Sequence, residues 1–144
     1  MRLTAGQESK MKIISDKAIV NASIDEVFDF LSDAENIYKI LPHEKVSDFK
    51  ADQNGCSFKA PGGFNVPLLY DEKIRGSHIK MRSGEDTPVD FTLMIYLKQL
   101  DGNQTEGYLE FDGDVNMFLR MMVEKPLTSL FNSMSHRLQK EFSM

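Results

Sequence analysis

The sequence predicts an α+β fold, a long C-terminal helix laid on an antiparallel sheet, and three observations carry that reading. Leu127, Leu130, Phe131, Met134 and Leu138 recur at the three-and-four spacing of one helix face, with Ser133, Arg137, Lys140 and Glu141 as polar cover. Residues 44 to 113 change to a period of two, broken at regular intervals by turn residues. Ser23 followed by Glu26 fits a capping box, in which each side chain satisfies a free backbone N–H at a helix start.

Residues 1 to 10 are polar and aperiodic and read as a disordered leader, with a single domain expected over 11–144. Lys12 to Val20, rich in β-branched residues, is the expected first strand. The capped helix then places Ile24, Val27, Phe28 and Leu31 on one face. A second short helix runs from about Ala34 to Leu41, capped by Asp33 and stopped by Pro42.

Asn54-Gly55, Gly62-Gly63, Gly76-Ser77, Ser83 to Pro88 and Asp101-Gly102-Asn103 divide the middle of the chain into five or six extended runs. The simplest arrangement is an antiparallel meander. Phe91, Leu93, Ile95 and Leu97 form one inward row, and Leu109 and Phe111 another. Cys56, Phe58 and Ala60 form a third, while Val66, Leu68, Tyr70 and Ile74 form a fourth that includes Glu72. In the terminal helix, Met117 to Val123 is apolar nearly all round except for Arg120. Pro126 predicts a kink or a break before the amphipathic remainder.

Charged residues make up 27% and hydrophobic ones 41%, a balance typical of a globular chain with a real core. The net charge of −5, with no Lys/Arg run, weighs against a nucleic-acid surface. No apolar run approaches bilayer length, so no integral membrane association is expected. Cys56 is alone and the start lacks a signal-peptide core, which together fit a cytoplasmic protein. Scattered His43, His78 and His136 give no metal-ligand spacing. Asp112, Asp114 and Asn116 mimic the opening of a calcium loop, but Met117 and Val123 occupy its Gly and Glu positions. No metal and no cofactor are expected.

The opening KAIVNASIDEVFDFLSDAENIYKILP (Lys17 to Pro42), the hairpin ending YLEFDGDVN (Tyr108 to Asn116) and the terminal helix resemble the START-like helix-grip superfamily. Within it the chain looks like the SRPBCC branch, which includes polyketide cyclase/dehydratase-like and coenzyme Q-binding-protein-like members. The resemblance covers about residues 11 to 142. It implies a helix-grip fold: a curved antiparallel sheet of about seven strands, in the order β-α-α-β-meander-α, wrapped around the long C-terminal helix, with a hydrophobic cavity between them. It implies no catalytic motif that transfers residue by residue.

The expected cavity lining is Phe58, Phe64, Leu68, Tyr70, Glu72, Met81, Phe91, Leu93, Phe111, Phe118, Met121, Met122 and Phe131, with Met117 and Met134 beside them. For any one of these residues ordinary core packing is the simpler reading, and the resemblance tips the group toward a cavity. Met117 to Val123 is the expected lid. Strict alternation turns Glu72 inward, where desolvation would raise its pKa and allow acid chemistry with Tyr70 beside it; a bulge would instead turn it to water.

The leading functional expectation is a non-catalytic binder of a small hydrophobic or amphipathic ligand such as a lipid, isoprenoid or polycyclic metabolite, acting as a monomer or weak homodimer. One rival is a cyclase/dehydratase-type enzyme in which Glu72 or Tyr70 moves a proton. The other is a protein-interaction module of the chaperone-activator kind, using Met94 and Tyr96 on the outer sheet face.

Overall fold

The computed structural model describes residues 8–85, 87 and 89–143. Strands β1 (Glu8–Ile14) and β2 (Ala18–Val20) lead into helix α1 (Ile24–Leu31), the short helix α2 (Ala34–Ile37) and a 3-10 turn at Tyr38–Ile40. Strands β3 (Ser47–Asp52), β4 (Gly55–Lys59), β5 (Asn65–Ile74), β6 (His78–Arg82), β7 (Asp90–Leu100) and β8 (Gln104–Asn116) follow, and helix α3 (Met117–Glu141) closes the chain. The strands form one antiparallel eight-stranded sheet in the order β1-β8-β7-β6-β5-β4-β3, with β2 also on β8.

The expected first strand is two pieces, because β8 is long enough to hold both. β1 pairs with Glu110 to Asn116 of β8 and β2 with Thr105 to Gly107. At the corner between them, Ser15 exchanges bonds with Leu109: its N–H donates to the Leu109 carbonyl at 2.9 Å, and its Oγ accepts the Leu109 N–H at 2.9 Å. Order also begins earlier than Met11, since β1 starts at Glu8. Residues 1–7 of the expected leader lie outside the described residues.

The Ser23/Glu26 capping box is present at the start of α1. Asp33 caps α2 by accepting the Glu35 N–H at 3.1 Å. The carboxyl end of α1 carries no basic residue of its own, and β5 supplies the missing donors. The Tyr70 hydroxyl donates to the Leu31 carbonyl at 2.6 Å, and Lys73 Nζ donates to the Ser32 carbonyl at 3.1 Å. Arg75 reaches Asp25 and Asp29, one turn apart on α1, and stacks on Phe28.

The core lies between one face of the sheet and α3. Leu93 pairs with Phe111 across β7 and β8, and both are buried in the core that Phe131 and Met134 of α3 share, the Phe131 ring packing on Phe111. Polar bonds fix the second half of α3 to the β1–β2 corner. Asn132 Oδ1 accepts the Asp16 N–H at 2.7 Å, Ser135 Oγ donates to the Asp16 carbonyl at 2.7 Å, and Gln139 Oε1 accepts the Ile19 N–H at 2.9 Å. The helix runs through Pro126 without a break, so of the two expected outcomes, a kink or a break, the break does not occur.

Candidate functional site

Most of the expected cavity lining converges, and in converging it fills the interior. Phe58, Leu68, Met81, Leu93, Phe111 and Phe131 are fully buried, and Phe91 nearly so. The Phe111 ring lies 4.9 Å from Phe91 and 5.5 Å from Phe131, centroid to centroid. Phe64 is half-buried and packs on this cluster from its edge. An apolar space bounded by Leu31, Ile40, Ile95, Leu109, Met134 and Leu138 measures about 20 Å³. That is room for about one water; Ser135 also borders the space, but its hydroxyl proton goes to the Asp16 carbonyl.

The larger apolar concavity is an open groove of about 350 Å³, lined by Pro42, Lys45, Pro61, Pro126, Ser129 and Leu130. Three segments make it. Pro42 ends the α2 region, Pro61 stands in the turn between β4 and β5, and α3 supplies the remaining wall. Pro126 cannot donate to the carbonyl four residues back and so leaves the helix without that bond at the groove. Phe118, Met122, Pro126 and Leu130 follow one another at spacings of four, so one ridge of α3 runs from exposed Phe118 down to buried Leu130 at the groove floor.

Met117 to Val123 does not form the expected lid. Val123 is buried and Leu119 packs against the core, whereas Met117, Phe118, Met121 and Met122 point away from the sheet and are exposed. An all-apolar segment contains no polar stripe to say which side faces water, and the helix phase set by Leu127 and Leu130 decides it. Arg120 ties this end to β1, donating from Nη1 to the Lys10 carbonyl at 3.0 Å and from Nε to Glu124 at 3.2 Å.

Glu72 is exposed, and its carboxylate meets His78 Nε2 at 2.9 Å. The cause is a bulge. Tyr70 pairs with Met81 and Glu72 pairs with Lys80, so Asp71 is the extra residue and the alternation slips by one. Everything after it on β5 changes face: Ile74, expected inward, pairs with His78 and is exposed. Tyr70, before the bulge, stays half-buried. Burial, with smaller effects from Cys56 and Asp33, holds its hydroxyl above the ordinary phenol range. Its one proton already goes to Leu31.

The remaining candidates fall into place as ordinary structure. His78, Lys80 and Arg82 lie on the outer face with Glu72 and Asp71 as ion-pair partners. Met94 and Tyr96 are half-buried there, with the Tyr96 ring 5.2 Å from that of Tyr108 at a tilted angle. Asp112, Asp114 and Asn116 belong to β8 and form no loop. Among the described residues no group of three or more His, Cys, Asp or Glu is placed to hold a metal ion. No helix is long and apolar enough to cross a membrane.

No family model matches the chain, and no curated protein matches its sequence. Solved structures do match. The Zhui aromatase/cyclase from Streptomyces sp. R1128 superposes with a TM-score of 0.72 at 16% identity, over 92% of this chain and 93% of its own. Norcoclaurine synthase from Thalictrum flavum, in complex with dopamine and hydroxybenzaldehyde, gives 0.65 at 17% identity over 100% and 94%. A conserved protein from Geobacillus kaustophilus gives 0.67 at 13% over 92% and 95%. The chain has the START-like helix-grip fold. At these identities the likeness to SRPBCC proteins lies in the fold. Within this helix-grip fold the groove combines residues that the sequence presents for other reasons: Pro42 as a helix stop, Pro126 as a kink and Leu130 as core. Pro61, Lys45 and Ser129 carry no signal of their own; only the tertiary structure brings the three prolines together.

Proposed function

We propose that the protein binds a small hydrophobic or amphipathic molecule in the groove at Pro126, between α3 and the segments at Pro42 and Pro61. The groove itself carries this reading: its volume lies within the range of small-ligand sites and its walls are predominantly apolar. Lys45 at the rim suits the polar end of an amphipathic ligand. A ligand reaching deeper has to displace Leu130 and Phe131, since the interior beyond them is packed. The norcoclaurine synthase structure, similar in fold, holds two small aromatic molecules, which supports a ligand of that size class. A lone buried thiol at Cys56 supports action in the cytoplasm. The cyclase alternative has lost its acid, because Glu72 faces water.

Solvent extraction of the purified protein followed by mass spectrometry tests whether a ligand is carried. Titration with an anilinonaphthalene fluorophore tests the place. Ser129→Phe, an exposed position on the groove wall, should weaken fluorophore binding at least about tenfold, or 1.4 kcal/mol, while leaving the unfolding midpoint unchanged. Failure of the wild-type protein to enhance the fluorescence, or equal affinity in the variant, would sink the reading.

A further inference from the structure

Phe118, Met121, Met122 and Lys125 stand at i, i+3, i+4 and i+7 on the outer face of α3, opposite the buried Val123, Leu127 and Leu130. The first half of the helix thus carries two apolar stripes, one on each side, and the structure covers only one. Met117, at 55% exposure, flanks the outer stripe, while Phe118, Met121 and Met122 are 76%, 82% and 60% exposed. At roughly 200 Å² for a large side chain, the four present on the order of 550 Å², the upper end of what a monomer leaves open.

We propose that this stripe is the contact face of a homodimer, in which the first halves of two α3 helices pack antiparallel about a two-fold axis. The occupant follows from area, charge and symmetry. Two such faces, fully covered, remove at most about 1,100 Å² from water, near the lower limit of a specific but readily reversible interface. The chain carries a net charge of −5, which disfavours an anionic lipid surface. Arg120, beside the stripe, is already engaged by Glu124 and the Lys10 carbonyl.

The spacing is also self-complementary. A two-fold axis between Met121 and Met122 sets each of them against the other's copy, and sets Phe118 against the second chain's Lys125. There the long methylene stem covers the ring and the ammonium reaches water or the ring face. The groove at Pro126 and Leu130 continues the ridge of Phe118 and Met122, so the proposed contact ends before Pro126, and Met121, on the stripe's far edge, is the position that reads the dimer apart from the groove.

Sedimentation equilibrium of the full chain is the test. The expected result is a reversible monomer–dimer equilibrium with a dissociation constant on the order of 10 μM, weakened at least about tenfold by Met121→Glu. Phe118→Lys should act likewise, and both variants should keep the melting curve of the dilute, monomeric wild type, because the replaced side chains are exposed. Met121→Cys, next to the axis, should oxidise to a covalent dimer, whereas Lys59→Cys on the sheet should not; native Cys56 is buried and does not interfere. A monomer at every concentration, a dimer indifferent to Met121→Glu, or partitioning of the monomer onto phosphatidylcholine vesicles would each overturn the proposal. Fluorophore binding unaffected by Met121→Glu separates this outcome from any failure of the groove.

Discussion

Tyr70 commits its only hydroxyl proton to the Leu31 carbonyl, which makes it a fastening between β5 and the end of α1 rather than a proton donor to a ligand. Tyr70→Phe should therefore cost about 1 kcal/mol of stability in urea denaturation and leave ligand affinity unchanged. The Cys56 thiol, pushed up to about 12 by burial first and by Asp52 second, gives a pH signature. Its ordinary value is 9.0, so from pH 9 upward the unfolded chain releases a proton that the folded chain retains until about 12. Stability is then full below pH 9 and falls with rising pH, by up to about 1.4 kcal/mol per unit in that window. Tyr70, also raised, adds a slope of the same sign at the alkaline end. Urea midpoints between pH 8 and 10.5 should fall less steeply in Cys56→Ala than in the wild type. Glu72 shows where single-residue reading stops. Its pattern on β5 is inward, but the bulge at Asp71 is a property of the pairing with β6 and has no mark in the β5 sequence alone.

At the scale of elements, α3 is one helix with two attachments of unequal strength. Its second half is buried along Leu127, Leu130, Phe131, Met134 and Leu138 and bonded to Asp16 and Ile19. Its first half is held by Val123, Leu119 and Arg120. Pro126 lies between them. Pro126→Ala restores a donor for the carbonyl of the preceding turn and removes the ring from the groove. It should raise the urea midpoint by an amount worth about 1 kcal/mol, part of the full Pro-to-Ala helix difference, and weaken fluorophore binding. The strands, the capping box and the amphipathic half of α3 were legible because each is written in local periodicity and capping chemistry. The outer face of residues 117–122 was not, because an uninterrupted apolar run has no face until its neighbours assign one. The split between β1 and β2 was hidden for a similar reason: it depends on Ser15 meeting Leu109, far away in the chain.

For the whole molecule, these attachments divide the fold into a well-held body and a lightly held end. β7 and β8 are joined along their full length and sandwiched between their sheet neighbours, with the second half of α3 across them. Amides there should exchange hydrogen only through global opening, at the full unfolding free energy of the domain. Amides of residues 119–123 should exchange through local opening of the first turns of α3, with protection lower by several kcal/mol. The two proposals make that local protection respond differently. Association of α3 faces raises it with protein concentration, since dimerisation buries Met121 and Met122; a groove ligand at fixed protein concentration raises it mainly around Pro126 to Leu130. Hydrogen exchange followed by mass spectrometry at low and high protein concentration, with and without the fluorophore, reads both. Protection at 119–123 that is equal to that of β7 and β8 in dilute protein would show that the first half of α3 is held as firmly as the rest, and the division drawn at Pro126 would fall.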